Sequence, residues 1–169
     1  MEKQTKNVIT REWVEKELRF YNTADIRSTL VWGGAVSLVT LPLAVFLIRA
    51  ILIHLSGVFS IAYALLIGVV FISPTWVSLF GICKHLAKRK MLQKGEFEIV
   101  ERAVLYKKEK LVHRHTEECL CFLGFKERSV NHTTYQLASK DDVFYVVYYK
   151  PRKDIEMLYS AKMYEYREN

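Results

Sequence analysis

The chain has 169 residues, 25% of them charged, a formal net charge of +7 and a mean hydropathy near zero. Length and average composition suit a single soluble domain. The charge excess is concentrated at Lys84, Lys88, Arg89 and Lys90, while residues 91–169 are nearly neutral, which argues against a nucleic-acid-binding domain and against nucleic acid as a partner.

Residues 1–9 are polar and read as disordered. Thr10 is placed to cap a helix beginning at Arg11, since its hydroxyl can accept from a first-turn N–H. Trp13, Val14, Leu18 and Tyr21 fall roughly on one face of that helix. Two readings stay open: the face lies in a membrane surface, or it packs on the folded domain.

Thr29 to Ile48 is 20 residues without a charge, and Val58 to Cys83 is another 26. A helix rises about 1.5 Å per residue, so ~20 residues cross the ~30 Å hydrocarbon layer. Two helical spans, about 29–48 and 58–82, are therefore expected. The alternative of a soluble core fails because the other segments are too polar to enclose two such helices. A cleaved secretory signal does not fit either, because the region before the first run is mixed in charge and no small-residue cleavage site ends it.

Each span holds a proline, Pro42 and Pro74, tolerated where hydroxyls and neighbouring helices satisfy the freed carbonyls. Ser60, Ala64 and Gly68 recur at every fourth residue, a small-residue row that lets another helix approach. The row is expected to pack within the hairpin near Thr40 and Ala44, with a homo-oligomer contact as the alternative. The link 49–57 contains Arg49, His54 and a break at Ser56-Gly57. Arg49 at the span end can snorkel to the interface. The basic cluster Lys84, Lys88, Arg89 and Lys90 should face the cytoplasm and the anionic inner leaflet of the bilayer, and two spans then put both termini there.

From Phe97 the pattern changes to strands. Phe97, Ile99, Val104 and Tyr106 alternate with charged residues, and Leu111-Val112, Cys119–Phe125 and Tyr135–Leu137 follow. Asp141-Asp142 turns into Val143–Tyr149, Pro151 ends that strand, and Ile155–Tyr159 and Met163–Tyr166 complete the set. Five or six short strands suggest a small closed or half-open barrel, SH3-like or OB-like.

The expected architecture is thus a membrane α-helical hairpin plus a small all-β cytoplasmic domain. Its segments are a tail with an amphipathic interfacial helix (1–28), the transmembrane hairpin (29–83), a basic juxtamembrane linker (84–95) and the β-rich domain (96–169).

His113-x-His115 followed by Cys119-x-Cys121 is the one metal-like cluster in the sequence. Its spacing differs from that of a zinc knuckle, and apolar strand cysteines beside a turn explain it as well, so no metal is assigned. Cytoplasmic thiols stay reduced, which removes the disulfide option. Cys83 sits at the membrane boundary, where a palmitoylation site and an ordinary apolar residue read alike. Phosphate-loop, HExxH and GxSxG motifs are missing, and His132 has no evident carboxylate or nucleophile partner in sequence. No catalytic residue and no cofactor are expected. Tyr135, Tyr145, Tyr148, Tyr149, Tyr159, Tyr164 and Tyr166 crowd the C-terminal part. They read either as barrel core or as walls of a groove for a peptide or nucleotide.

The stretch Asp141-Asp142-Val143-Phe144-Tyr145, with Tyr159-x-x-Lys162-x-Tyr164-Glu165, resembles the end of a β-barrel domain in uncharacterised small bacterial membrane proteins with a two-helix hairpin. Those proteins carry a glycine-aspartate pair where this chain has Asp141-Asp142. The architecture is also similar to anti-phage effectors that join transmembrane helices to a cyclic-nucleotide-binding β-barrel.

The expectation is a non-enzymatic, membrane-anchored binding or scaffold module of the cell membrane, with a protein or small-molecule partner for its β domain. The alternatives are a ligand-gated effector whose helices oligomerise, and an accessory subunit of a membrane enzyme or transporter.

Overall fold

The computed structural model describes residues 6–54, 58–112 and 115–168, the side chains of Val58 and Ser60 excepted. The Ser56-Gly57 break, His113 and the packing role of the Ser60 side chain fall outside it. In chain order the elements are β1 (Asn7–Thr10), α1 (Arg11–His54), α2 (Val58–Gln93), β2 (Phe97–Val112), β3 (His115–Phe122), β4 (Arg128–Ser129), α3 (His132–Leu137), β5 (Val143–Tyr149), β6 (Ile155–Ser160) and β7 (Tyr164–Arg167). The chain divides into two compact units. Arg19–Lys90 forms a helical unit, and the residues up to Leu18 together with those from Met91 onward form a β unit.

Both helices outrun the segments expected from sequence. The amphipathic stretch from Arg11 and the first apolar run form one 44-residue helix. The stretch read as a linker, 84–95, is helical as far as Gln93. Lys84 to Lys90 offers no glycine or proline to stop a helix, and the chain turns only at Gly95, which adopts a positive φ of 67°. Thr10 does cap α1, with the Trp13 N–H donating to its Oγ1 at 3.3 Å.

In the β unit, five strands form a curled antiparallel sheet in the order β4-β3-β2-β5-β6. β2 is shared along its length: Phe97–Ala103 pairs with β5, and Val104–Val112 pairs with β3 across a bulge between Val104 and Tyr106. The sheet is a half-barrel, the half-open form of the expected barrel. Its edge strands β4 and β6 share no ladder and are joined by side chains instead. Arg128 donates to the Glu156 carbonyl at 3.0 Å, and Lys126 meets Asp154 at 3.0 Å.

β5 is apolar on both faces, and each face has its own core. Phe144 and Val146 pack inside the curl with Val104, Leu120, Phe122 and Ile155. Tyr145, Val147 and Tyr149 pack outside with Phe97 and Tyr159. The outer core is completed by Ile9 of β1, Val14 and Leu18 of α1 and Leu92 of α2. Val14 and Leu18 therefore serve the β unit's core, while Trp13 and Tyr21 of the same expected face are exposed. A domain drawn from residue 96 omits four of these core side chains.

Two local expectations are corrected. Residues 7–9 are not disordered: with Thr10 they form β1, which pairs in parallel with β7 from Asn7↔Tyr164 to Thr10↔Arg167. The last strand thus joins a separate two-stranded sheet and not the barrel. Tyr135–Leu137 is no strand but the end of α3, capped by the Asn131 side chain accepting from the Thr134 N–H at 2.8 Å.

Candidate functional site

The helical unit is held by small and polar side chains. On α1, Asp25, Thr29, Gly33 and Ser37 are spaced by four and share a face. Each has a partner on α2. Asp25 Oδ2 lies 3.8 Å from His85 Nδ1. Thr29 Cγ2 would lie 3.3 Å from a Cβ added to Gly81, and a Cβ on Gly33 would come within 2.5 Å of both Ser78 Cβ and Oγ. The Ser37 and Thr75 hydroxyls are hydrogen bonded at 2.9 Å. Gly33 thus stands tight against the Ser78 side chain, with no room for a Cβ.

The proline of α2 is accommodated locally. Pro74 cannot donate to the Val70 carbonyl, and the Ser73 hydroxyl donates there instead at 2.8 Å. The Ser78 hydroxyl turns back to the Pro74 carbonyl at 2.9 Å.

The row expected from sequence lies nearer the start of α2, with Gly68 seven residues before Thr75 and so on much the same face. Ala64 and Gly68 are half-buried and line an apolar groove of about 770 Å³, with Ile48, Leu52 and Trp76 among its walls. A Cβ on Gly68 would meet Ile48 Cδ1 at 3.8 Å, an ordinary contact. Ala44 is buried, and the Thr40 hydroxyl is buried without a partner among the described residues. The tight contact of Gly33 with Ser78 lies outside the row the sequence points to, although the spacing of Thr29, Gly33 and Ser37 signals it as plainly. Lys84, Lys88, Arg89 and Lys90 lie on the last turns of α2, with Lys84, Arg89 and Lys90 exposed.

In the β unit the tyrosines are mainly core. Tyr145, Tyr149 and Tyr159 are buried, and burial pushes the Tyr149 phenol up to about 12. Trp13 packs on Tyr159 with ring centroids 5.5 Å apart, and the Tyr159 hydroxyl donates to Glu17 at 2.5 Å. Tyr148 donates to Glu98, which also meets Lys150 at 3.0 Å. Those two partners hold the Glu98 carboxyl below its ordinary range. Tyr135 lies under the Lys107 ammonium, 4.2 Å from its ring centre. These contacts build a packed surface.

His132 does have a carboxylate partner, Glu118 Oε1 at 2.8 Å from Nδ1, with Gln136 2.9 Å from Nε2. The pair reaches across from α3 to β3, which the sequence spacing conceals. Asp142 accepts from Lys162 at 2.6 Å and from the Ser139 N–H at 2.8 Å, and both hold its carboxyl below the usual carboxylate range. Cys119 and Cys121 are buried on β3, and burial pushes the Cys119 thiol up, away from the reactive thiolate. His115 is exposed on the same strand. Among the described residues no group of three or more His, Cys, Asp or Glu side chains gathers in a metal-holding arrangement. In comparisons with known proteins, the chain matches no family model, no curated protein and no solved structure.

Proposed function

We propose that the chain is a multi-pass membrane protein that anchors a small β module at the cytoplasmic face of the cell membrane. The observation that carries this is the surface of the two long helices. Their most apolar 18-residue stretches are 6% and 0% buried. Leu38, Phe46, Phe59, Val69, Trp76 and Phe80 all point outward. A core helix of a soluble protein would hide such residues, and each costs roughly 1.5–3 kcal/mol to leave in water. A bilayer removes that cost and leaves the helices to associate through a seam of small side chains and interhelical hydroxyls.

The basic end of α2 supports the orientation. Lys84, Lys88, Arg89 and Lys90 carry the positive charge expected beside an anionic inner leaflet, and an even number of spans then puts both termini in the cytoplasm. The β unit acts as a binding or scaffold module rather than an enzyme, for its polar clusters are surface ion pairs and its tyrosines and cysteines are packed.

Flotation of the full chain with vesicles, before and after an alkaline carbonate wash, tests the anchoring. The chain should stay with the lipid through the wash, and release into the soluble fraction overturns it. A reporter at residue 169 tests the orientation and should be inaccessible from outside the cell.

A further inference from the structure

β2 is longer than the sheet can use. The β5 side of the strand is occupied up to Val104, where the Val104 N–H reaches the Asp142 carbonyl and the Asp141 N–H reaches the Val104 carbonyl, both at 2.9 Å. Lys107 is tied to the Ala138 carbonyl at 3.0 Å. From Lys108 to Val112 the strand pairs with β3 alone among the described residues. β3 is equally bare at its start, since β4 takes Cys119 and Leu120 and the Val130 N–H takes the Glu118 carbonyl. Among the described residues the result is a two-stranded arm with a free edge on each side. Leu111, 77% exposed, stands on it. Two-stranded ribbons are marginal in water, and bare edges are templates for a further strand.

The two edges differ in charge. Lys108 and Lys110 lie on the β2 edge around Glu109, whereas Glu117 and Glu118 lie on the β3 edge. Two β2 edges would bring lysines together, and two β3 edges would bring glutamates together. A β2 edge against a β3 edge brings lysines to glutamates. The arm also holds one unfavourable cross-strand pair, Glu109 opposite Glu118, which an incoming lysine would relieve. Lys108 and Lys110 share Glu127 at 3.0 Å each, and Glu118 meets His132. The two lysines are exposed, and such pairs are worth little and readily exchanged.

We infer that this arm joins copies of the chain: the Lys108–Val112 edge of one copy pairs antiparallel with the His115–Glu117 edge of the next, with the Glu118 side chain beside it. The contact is head-to-tail, so it extends into open rows instead of closing into a dimer. It is short, and confinement to one membrane plane supplies the effective concentration it needs. In that respect it rests on the membrane anchoring proposed above.

The test is energy transfer between C-terminally labelled full chains in phosphatidylcholine vesicles, with flotation of the same samples. Lys108→Glu/Lys110→Glu makes both edges acidic, and Glu117→Lys/Glu118→Lys makes both basic. Each variant alone should lose at least threefold in transfer. An equal mixture of the two, and the fourfold variant carrying both changes in one chain, should recover it. Transfer that survives Lys108→Glu/Lys110→Glu overturns the proposal and points to the helices as the contact. Transfer lost in every variant, the mixture included, overturns it as well. If the chain fails to float, the anchoring is wrong, and the same four samples measured by sedimentation decide edge pairing by the same criterion.

Discussion

The helical unit and the β unit solve the same problem in opposite ways. In the β unit, β5 sends alternate side chains into two cores, and nearly every large apolar residue on it is hidden by its own chain. In the helical unit the apolar residues face outward, and what meets between the helices is glycine, serine, threonine and an Asp–His pair. Burial from water drives the first. In the lipid setting proposed above the second has no such drive, and close approach of small side chains and hydroxyl hydrogen bonds take its place. The same amino acid therefore has a different value in each unit, and substitutions can expose this.

The largest contrast is leucine. Leu120 is 0% exposed in the inner core, and Leu38 is 78% exposed on α1. Leu120→Ala should destabilise the β unit by about 2–5 kcal/mol, the lost transfer energy plus the cavity left behind. Leu38→Ala should leave it unchanged. Urea titration of the full chain in mild detergent, followed by near-ultraviolet dichroism of the tyrosines, measures both. Equal effects at the two positions would erase the distinction between the units.

Tyr149 sharpens the comparison through pH. Its phenol is raised from 10 to about 12 by burial, so the folded state keeps a proton that the unfolded chain releases. Stability from this group is whole below pH 10 and falls as pH climbs toward 12, by up to about 2–3 kcal/mol at ~1.4 kcal/mol per unit. Tyr149→Phe removes the titrating group without removing the ring. The variant should lose less stability than the parent between pH 9 and pH 12, read from urea midpoints at each pH. Parallel losses would mean that the outer core is open to water.

These units were not equally legible. Val143–Tyr149 announces a strand because seven β-branched and aromatic residues stand between a turn and a proline, and the structure gives those bounds to β5. β1 was illegible, because Asn7–Thr10 is extended only by pairing with Tyr164–Arg167 at the far end of the chain. α3 is six residues long, too short for periodicity, and its one cue was Asn131 three residues before Thr134. The apolar helices were plain from composition, but the depth of their tightest contact was not. Both α1 and α2 carry small residues at fourfold spacing, and a lone sequence does not say at which depth the helices come closest. The Glu118–His132 pair and the bare edges of the β2–β3 arm depend on tertiary neighbours, so no motif could reveal them.

The finest test of the seam uses three glycines. At Gly33 a Cβ would sit 2.5 Å from Ser78 Cβ, so alanine there must push the helices apart. Gly34, its neighbour, has nothing within 4 Å of an added Cβ. Gly68, in the groove, meets only the end of Ile48 at 3.8 Å. Overpacking typically costs ~1–3 kcal/mol, while replacing glycine by alanine within a helix returns up to ~1 kcal/mol. Gly33→Ala should therefore loosen the hairpin by about 1–2 kcal/mol, Gly34→Ala should be neutral or slightly stabilising, and Gly68→Ala should be close to neutral. Protease resistance of the helical unit over a series of detergent strengths ranks the three. A loss at Gly68 larger than that at Gly33 would move the tightest contact along the same face to the groove, at Ala64 and Gly68.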